Sequence, residues 1–302
     1  MKNPKLSIIV LSFNTKNLLR DCLLSLNKVK TEVNFEVIIP DNGSTDGSVK
    51  MVEKDFAWVK KVIKIGKNIG FAAGNNRAKP YVQGKYVLFL NPDTLLHKNT
   101  LDRCVEYLDS HNVVGALTCK ILLPSGQLDK DARRSFINPW IGLTHIYLKL
   151  DRIFPKSKLF SQYWYGYMPS DEEHEVDALQ GAFFLTRKKT LDQVGWFDED
   201  YFLNAEDIDL SWKIKEKGWK IMYYPKVAIT HIKGAAKGKT KSTRKNIPLK
   251  EKLKYRLAEV DAMEIFVKKR LWNKYPLAIN LIVLAGTKLL KLIRTMKVIL
   301  FG

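Results

Sequence analysis

Histidine, cysteine and acidic residues are scarce in this chain of 302 residues, and apolar runs are short. It has 5 His, 3 Cys and 31 Asp/Glu against 51 Lys/Arg, a formal net charge of +20. Cys22, Cys104 and Cys119 form neither a CxxC pair nor an even set, which argues against a disulfide scaffold and fits reduced thiols in a cytoplasmic protein. The apolar run 6–13 follows Lys2 and Lys5 much as in a signal peptide. It stops at Asn14 with no small-residue cleavage site, so it reads as a buried strand. The uncharged run 276–287 falls short of the ~20 residues needed to span a bilayer. No GxGxxG fingerprint is present, so hydride chemistry on a dinucleotide loses its main support. Internal repeats and low-complexity tracts are also missing.

What is present is ordinary in bulk and uneven in place. Hydrophobic residues at 46% and charged residues at 27% permit a sizeable core. Residues 233–302 hold 18 Lys/Arg and 4 Asp/Glu, a net of +14, which leaves +6 on the preceding 232. The basicity therefore belongs to the C-terminal region, and so does whatever it attracts.

Short β-branched runs alternate with helical patterns from the start. Strands are expected at 6–13, 35–39, 59–65 and 86–90, and helices at 18–26, 48–56 and 71–80. That alternation predicts an α/β fold with a mostly parallel sheet, which binds ligands at the carboxyl ends of its strands. Ser12 and Asn14, the loop Asp41-Asn-Gly-Ser-Thr-Asp-Gly, and Asn91-Pro-Asp-Thr each follow a strand, so they should meet at one edge. Beyond 115 the alternation loosens. Strands are expected at 114–122, 182–186 and 220–224 around an irregular aromatic stretch, 136–168, and a basic loop at 233–245 precedes a helix over 249–272. The last segment places cations at 288, 291, 294 and 297 on one side of a helix and most aliphatics on the other. This is the pattern of a helix lying in a membrane interface, its cations facing acidic headgroups. Packing on the globular domain, with the lysines solvated, is the alternative.

Several side chains have chemistry to offer. Asp41 can accept from a pyrimidine ring N–H or from ribose hydroxyls, although an Asp/Asn/Gly turn with a helix cap explains the same residues. Asn68-Ile-Gly-Phe-Ala-Ala-Gly-Asn-Asn sets small residues at a helix start, where backbone amides approach a polar ligand or the helix packs closely on the sheet. Asp93, aimed by Pro92, suits Mg²⁺ or Mn²⁺, which take one or two carboxylates and leave the rest of the shell to phosphate and water. Glu206, Asp207 and Asp209 open a helix. Capping and the helix dipole account for two acids there, and a third suits a general base. His231, after a strand-like run, suits a metal or a diphosphate.

Taken in order, Ser12-Phe-Asn, Asp41-Asn-Gly-Ser-Thr-Asp-Gly, the 68–76 motif, Asn91-Pro-Asp, Gly181-Ala and Glu206-Asp-Ile-Asp-Leu resemble the family 2 glycosyltransferases, and among them the bacterial rhamnosyltransferase-type branch. The resemblance covers about 5–235. It implies a GT-A fold of two halves (1–115 for the nucleotide, 116–235 for the acceptor), followed by a basic amphipathic region, 236–302. It further implies a nucleotide-sugar donor, dTDP-rhamnose or a UDP-sugar, a divalent cation (Mg²⁺ or Mn²⁺), and inversion at the anomeric carbon. By position, Ser12, Asn14, Asp41, Gly43, Asn75, Asn91 and Asp93 would hold the donor, and Asp93 and His231 the metal. Asp207 would be the base, helped by Glu206. The DxD slot reads Asn91-Pro-Asp93, so one carboxylate of the pair is missing. The acceptor is expected to be a glycan or a polyprenyl-diphosphate-linked sugar, met at the cytoplasmic face of the cell membrane. Three rival readings meet difficulties or need a separate test. A nucleic-acid-binding protein leaves the strand-end acids unexplained, since they repel phosphate. A nucleotidyltransferase needs a Gly- and Arg/Lys-rich loop where this chain has Ser12-Phe-Asn-Thr. An inactive membrane scaffold would not be stabilised by nucleoside diphosphate.

Overall fold

A computed structural model describes residues 3–233 and 249–301. The first half runs β1 (Leu6–Ile9), α1 (Lys16–Lys28), β2 (Phe35–Asp41), α2 (Ser48–Asp55), β3 (Lys61–Lys64), α3 (Phe71–Asn76) and β4 (Tyr86–Leu90). It continues through β5 (Thr94–Leu96), α4 (Thr100–Ser110) and β6 (Val114–Leu122). Next come β7 (Arg133–Arg134), the short helices α5 (Pro139–Ile141) and α6 (Leu150–Ile153) flanking a π-turn at Gly142–Tyr147, then β8 (His174–Glu175), β9 (Ala178–Leu179) and β10 (Phe183–Arg187). The chain closes with α7 (Lys188–Val194), α8 (Glu206–Glu216), β11 (Lys220–His231), α9 (Leu249–Phe266), a π-turn at Val267–Leu271 and α10 (Leu277–Phe301).

The main sheet has the order β3-β2-β1-β4-β10-β6-β11-β5, with β8 also on β11. β1 and β4 are apolar at nearly every position and wholly buried, as strands covered on both faces must be. From β3 to β4 every pairing is parallel. β10 then runs antiparallel between β4 and β6, and β11 returns parallel to β6. The sheet is therefore parallel where the strand–helix alternation was regular and mixed beyond it. Expected strands at 86–90 and 114–122 match β4 and β6, whereas the one at 220–224 runs on to His231. Part of the expected basic loop, 234–245, lies outside the described residues.

A small antiparallel pair, β7 with β9, sits off the main sheet and sets Arg134 opposite Ala178. A second apolar cluster joins α8 to the C-terminal helices through Ile208, Trp212, Ala262, Phe266 and Leu271. At its edge Arg270 grips the fully buried Asp209 with Nε at 2.7 Å and Nη2 at 3.2 Å, and the Tyr201 hydroxyl donates to the same carboxylate at 3.2 Å. Asp209 is thus a structural anchor, fully buried and turned towards Arg270 and Tyr201. Among the described residues no helix is long and apolar enough to cross a membrane. Arg270→Ala strands a buried charge and should destabilise the protein by about 3 kcal/mol in chemical denaturation; a loss under about 0.5 kcal/mol would deny the anchor its role.

Candidate active site

Three loops converge at the carboxyl ends of β1, β2 and β4. Ser12 bridges to Asp41, with Ser12 N–H donating to the Pro40 carbonyl at 2.9 Å and Asn42 N–H to the Ser12 carbonyl at 2.8 Å. Asp41 is buried and folds its own loop. Its Oδ1 accepts from the amides of Gly43 (3.1 Å) and Ser44 (2.8 Å), and its Oδ2 from the Ser44 hydroxyl (2.6 Å). Asn14, at φ 51°, donates its N–H to Ser44 Oγ at 2.9 Å and accepts from the Thr45 amide at 2.8 Å. Ser12, Asn14, Asp41 and Gly43 therefore form one hydrogen-bonded loop cluster, and its polar atoms are largely committed to shaping the loop. The buried Ser12 hydroxyl is the exception, having no hydrogen-bond partner. Gly43 is irreplaceable on two counts: φ is +83°, and a Cβ would sit 2.8 Å from the Gly66 carbonyl carbon. Asn75 is turned away from the loop into its own helix, Nδ2 donating to the Phe71 carbonyl at 2.9 Å.

Asn91 and Asp93 lie on the turn between β4 and β5. The Asn91 carbonyl accepts from the Thr94 hydroxyl at 2.7 Å, which fixes the turn. Asp93 is 3% exposed, and its Oδ1 has no hydrogen bond, only a 3.4 Å approach from His231 Nε2. His231 ends β11, which pairs with β5 and brings the imidazole across from the turn. Its Nδ1 lies 3.0 Å from Asp129 Oδ2, and Lys233 Nζ lies 2.6 Å from Asp129 Oδ1. Burial would lower the His231 pKa, but the hydrogen bond with Asp129 and the nearby Asp93 charge outweigh it and lift the pKa to about 9. The ring is therefore an imidazolium near neutral pH. Burial pushes the Asp129 carboxyl up; His231 and Lys233 outweigh that and hold it well below the usual carboxylate range. Among the described residues no three His, Cys, Asp or Glu side chains group as a metal cage.

The second acidic centre is the first turn of α8. Asn204 and Ala205 enter it with φ of 72° and 60°, two consecutive non-glycine residues in the left-handed region, a backbone strain typical of functional turns. Glu206 and Asp207 are both buried. Asp207 Oδ2 accepts from Arg134 Nη2 at 2.7 Å and from the Gly181 amide at 3.2 Å, and Oδ1 from the Ile208 amide at 2.8 Å. Burial would lower the Arg134 pKa, but the Asp207 charge outweighs it and keeps the guanidinium above its ordinary range.

Residues 180–182 join the two centres. Gln180 Nε2 donates to Asp129 Oδ2 at 3.3 Å, the Gly181 amide to Asp207, and the Ala182 carbonyl accepts from the Asn91 amide at 3.2 Å. The Asp93–His231 pair and Asp207 therefore border one edge of the sheet, though 114 residues separate positions 93 and 207. Sequence reasoning missed Asp129, Arg134, Gln180 and Lys233. The Arg133-Arg134 doublet was a signal, since two adjacent cations just before the apolar Phe136-Ile137 need partners if they are buried; nothing local announced Asp129 as the partner of His231.

A polar loop wall, a strand-end acid and an acid on a strained helix start, arranged on a GT-A-like sheet, are the parts expected of a sugar transferase. The model of Glycosyl transferase family 2 matches residues 7–195, and the chain belongs to that family. N-acetylglucosaminyl-diphospho-decaprenol L-rhamnosyltransferase of Mycobacterium tuberculosis is 26% identical over 246 residues, 78% of each protein. Rhamnosyltransferase WbbL of Escherichia coli is 25% identical over 233 residues, 74% of this chain and 82% of that one. GalNAc-T7, solved with UDP, GalNAc and Mn²⁺, superposes with a TM-score of 0.56 at 14% identity; it covers 76% of this chain, which spans only 44% of that protein. The protein is a glycosyltransferase.

Two substitutions test the geometry. Gly43→Ala should abolish nucleotide binding in calorimetry, and retained affinity would mean the loop does not shape the pocket. Arg134→Gln should lower kcat about 100-fold with nucleotide affinity unchanged, as expected when a buried acid loses the group that orients it. A change in KM alone would assign Arg134 to substrate binding instead.

Proposed function

We propose that this chain is an inverting rhamnosyltransferase that takes rhamnose from dTDP-rhamnose. The acceptor is a hydroxyl of a glycan or of a polyprenyl-diphosphate-linked sugar, in cell-surface polysaccharide synthesis. The link through residues 180–182 carries the reading, because it gives a donor-side acid and a base-side acid a common edge. The two rhamnosyltransferase relatives, one named for a decaprenol-linked acceptor, support the choice of sugar and acceptor class.

In this reading the loop of Ser12, Asn14, Asp41 and Gly43 receives the nucleoside, with Asn75 and Asn91 bordering the donor. Asp207, oriented by Arg134 and the Gly181 amide, takes the proton of the acceptor hydroxyl, and Glu206 beside it supports that site. The acceptor oxygen attacks the anomeric carbon from the face opposite the diphosphate, and the nucleoside diphosphate departs with the bonding pair. A Mg²⁺ or Mn²⁺ ion, when bound, would neutralise the departing diphosphate. The orphaned, buried Asp93 Oδ1 fits such an ion as its carboxylate ligand, and His231 can join it after losing its proton. With one carboxylate in the slot, most of the ion's shell would come from the diphosphate and water. While protonated, His231 offers the diphosphate a second positive charge. The enzyme is placed in the cytoplasm, peripheral on the inner face of the membrane, where its C-terminal segment meets anionic lipid.

In this reading a cavity of about 520 Å³ between residues 135–141 and Trp212 of α8 receives the acceptor. Phe136, Tyr165 and Trp212 give it faces for a sugar ring, and Lys158 and Lys274 give it cations for a diphosphate.

Asp207→Asn should bind nucleotide normally and lose transfer by about 1,000-fold; near-normal turnover would remove Asp207 from the mechanism. Hydrolysis measured across a panel of nucleotide sugars should favour dTDP-rhamnose, and preference for a UDP-sugar would reassign the donor. Chelation with EDTA should weaken nucleoside diphosphate binding and added Mn²⁺ restore it; indifference to both would leave charge neutralisation to His231 and Lys233.

A further inference from the structure

The helix α10 leaves a row of aliphatics uncovered on its outer side. Its four cations are Lys288, Lys291, Arg294 and Lys297, and it has no acid. The side packed on α9 buries Asn280 and Thr287, pairs Lys291 with Asp261, and sets Arg294 Nη1 2.9 Å from Glu259. The outward side carries Leu281, Ile282, Leu289, Leu292, Met296 and Ile299, each 51–72% exposed. A helix of a water-soluble domain turns its aliphatic side inward, whereas this one leaves that row of aliphatics exposed and buries only a few, among them Val298, with Val283 and Leu284 half-buried. Lys291 and Arg294, which the sequence pattern assigns to lipid headgroups, are spent on α9.

A second apolar surface adjoins it. Between α5 and residue 159, Leu143, Leu148, Ile153, Phe154 and Leu159 are 45–65% exposed. The two surfaces meet where Tyr147 lies against Gly286 of α10: a Cβ on Gly286 would strike the Tyr147 hydroxyl and lie 3.3 Å from its ring carbon. Lys149, Arg152, Lys156 and Lys158 are exposed around the second surface. Its one acid, Asp151, is buried against His145 and the Trp164 indole. The combined face is thus apolar at its centre and cationic at its rim, with no exposed acid between 139 and 159 or along α10.

We propose that the outward side of α10 and the 139–159 segment form one surface that docks into the interface of an anionic bilayer, lying in its plane. It rests on the membrane-linked reading above. It extends that reading by giving half of the contact to the 139–159 segment and by turning aliphatics, rather than Lys291 and Arg294, towards lipid. Charge complementarity selects the occupant. A two-fold contact between copies would press rim cations against rim cations, whereas acidic headgroups neutralise them and acyl chains cover the centre.

Co-sedimentation of the full chain with vesicles of phosphatidylglycerol and phosphatidylcholine, against phosphatidylcholine alone, tests this. The full chain should bind the anionic vesicles and largely ignore the neutral ones. Leu148→Ser/Ile153→Ser/Phe154→Ser should weaken binding roughly tenfold or more, and so should Lys149→Glu/Arg152→Glu/Lys156→Glu. The charge reversals lie on the exposed rim, so they give a reading if the apolar variant misfolds. Undiminished binding by both variants overturns the proposal, as does equal binding to neutral vesicles or a vesicle-independent dimer in light scattering. Nucleotide-sugar hydrolysis by the same variants without vesicles should equal that of the parent. Loss of hydrolysis in the parent itself would count against the transferase reading and leave the docking result intact.

Discussion

A short backbone segment, residues 180–182, sets the relation between the two halves of the site. In succession it reaches Asp129 with a side-chain amide, Asp207 with a peptide N–H and Asn91 with a carbonyl. Each of these partners bears on the site: His231 through Asp129, the Asp207 carboxylate directly, and the strand-end turn of Asp93 through Asn91. Hydrogen bonds to ionised groups are the strong ones, and in a site this dry an unmade one is costly. Gly181 allows the approach at the centre, where a Cβ would come within 3.1 Å of the Phe71 ring.

The parallel half of the fold was legible because each element is locally self-declaring. Apolar runs such as 86–90 are too short for helices, and polar loops follow them at the strand ends. The convergence of Ser12, Asn14, Asp41 and Gly43 was legible for the same reason, since all four follow adjacent parallel strands at one edge. The antiparallel insertion of β10 between β4 and β6 was not, because its register is set by long-range pairing and by nothing in residues 183–187 themselves. Charge partners were hidden in the same way. His231 and Asp129 are 102 residues apart, and Arg134 finds Asp207 only because β7 pairs with β9 beside α8. Asn75 shows a local contact that spacing does not announce: its side-chain amide bonds one turn back along its own helix.

The C-terminal segment shows what periodicity alone leaves open. The spacing separated cations from aliphatics on α10, and the structure retains that separation. Which side faces the protein depends on α9, whose Glu259 and Asp261 draw in Arg294 and Lys291. Two acids on a neighbouring helix thus decide the polarity of the outer surface.

Positions 207 and 209 sit about 200° apart around α8. One carboxylate is held towards Arg134 and Gly181, the other towards Arg270 and Tyr201. A cylinder gripped from opposite sides cannot roll, so the angular bearing of residue 207 is locked by a contact made on the far side of its own helix. The acidic repeat divides its labour accordingly: one member is held at the sheet edge and its near-twin keeps it aimed.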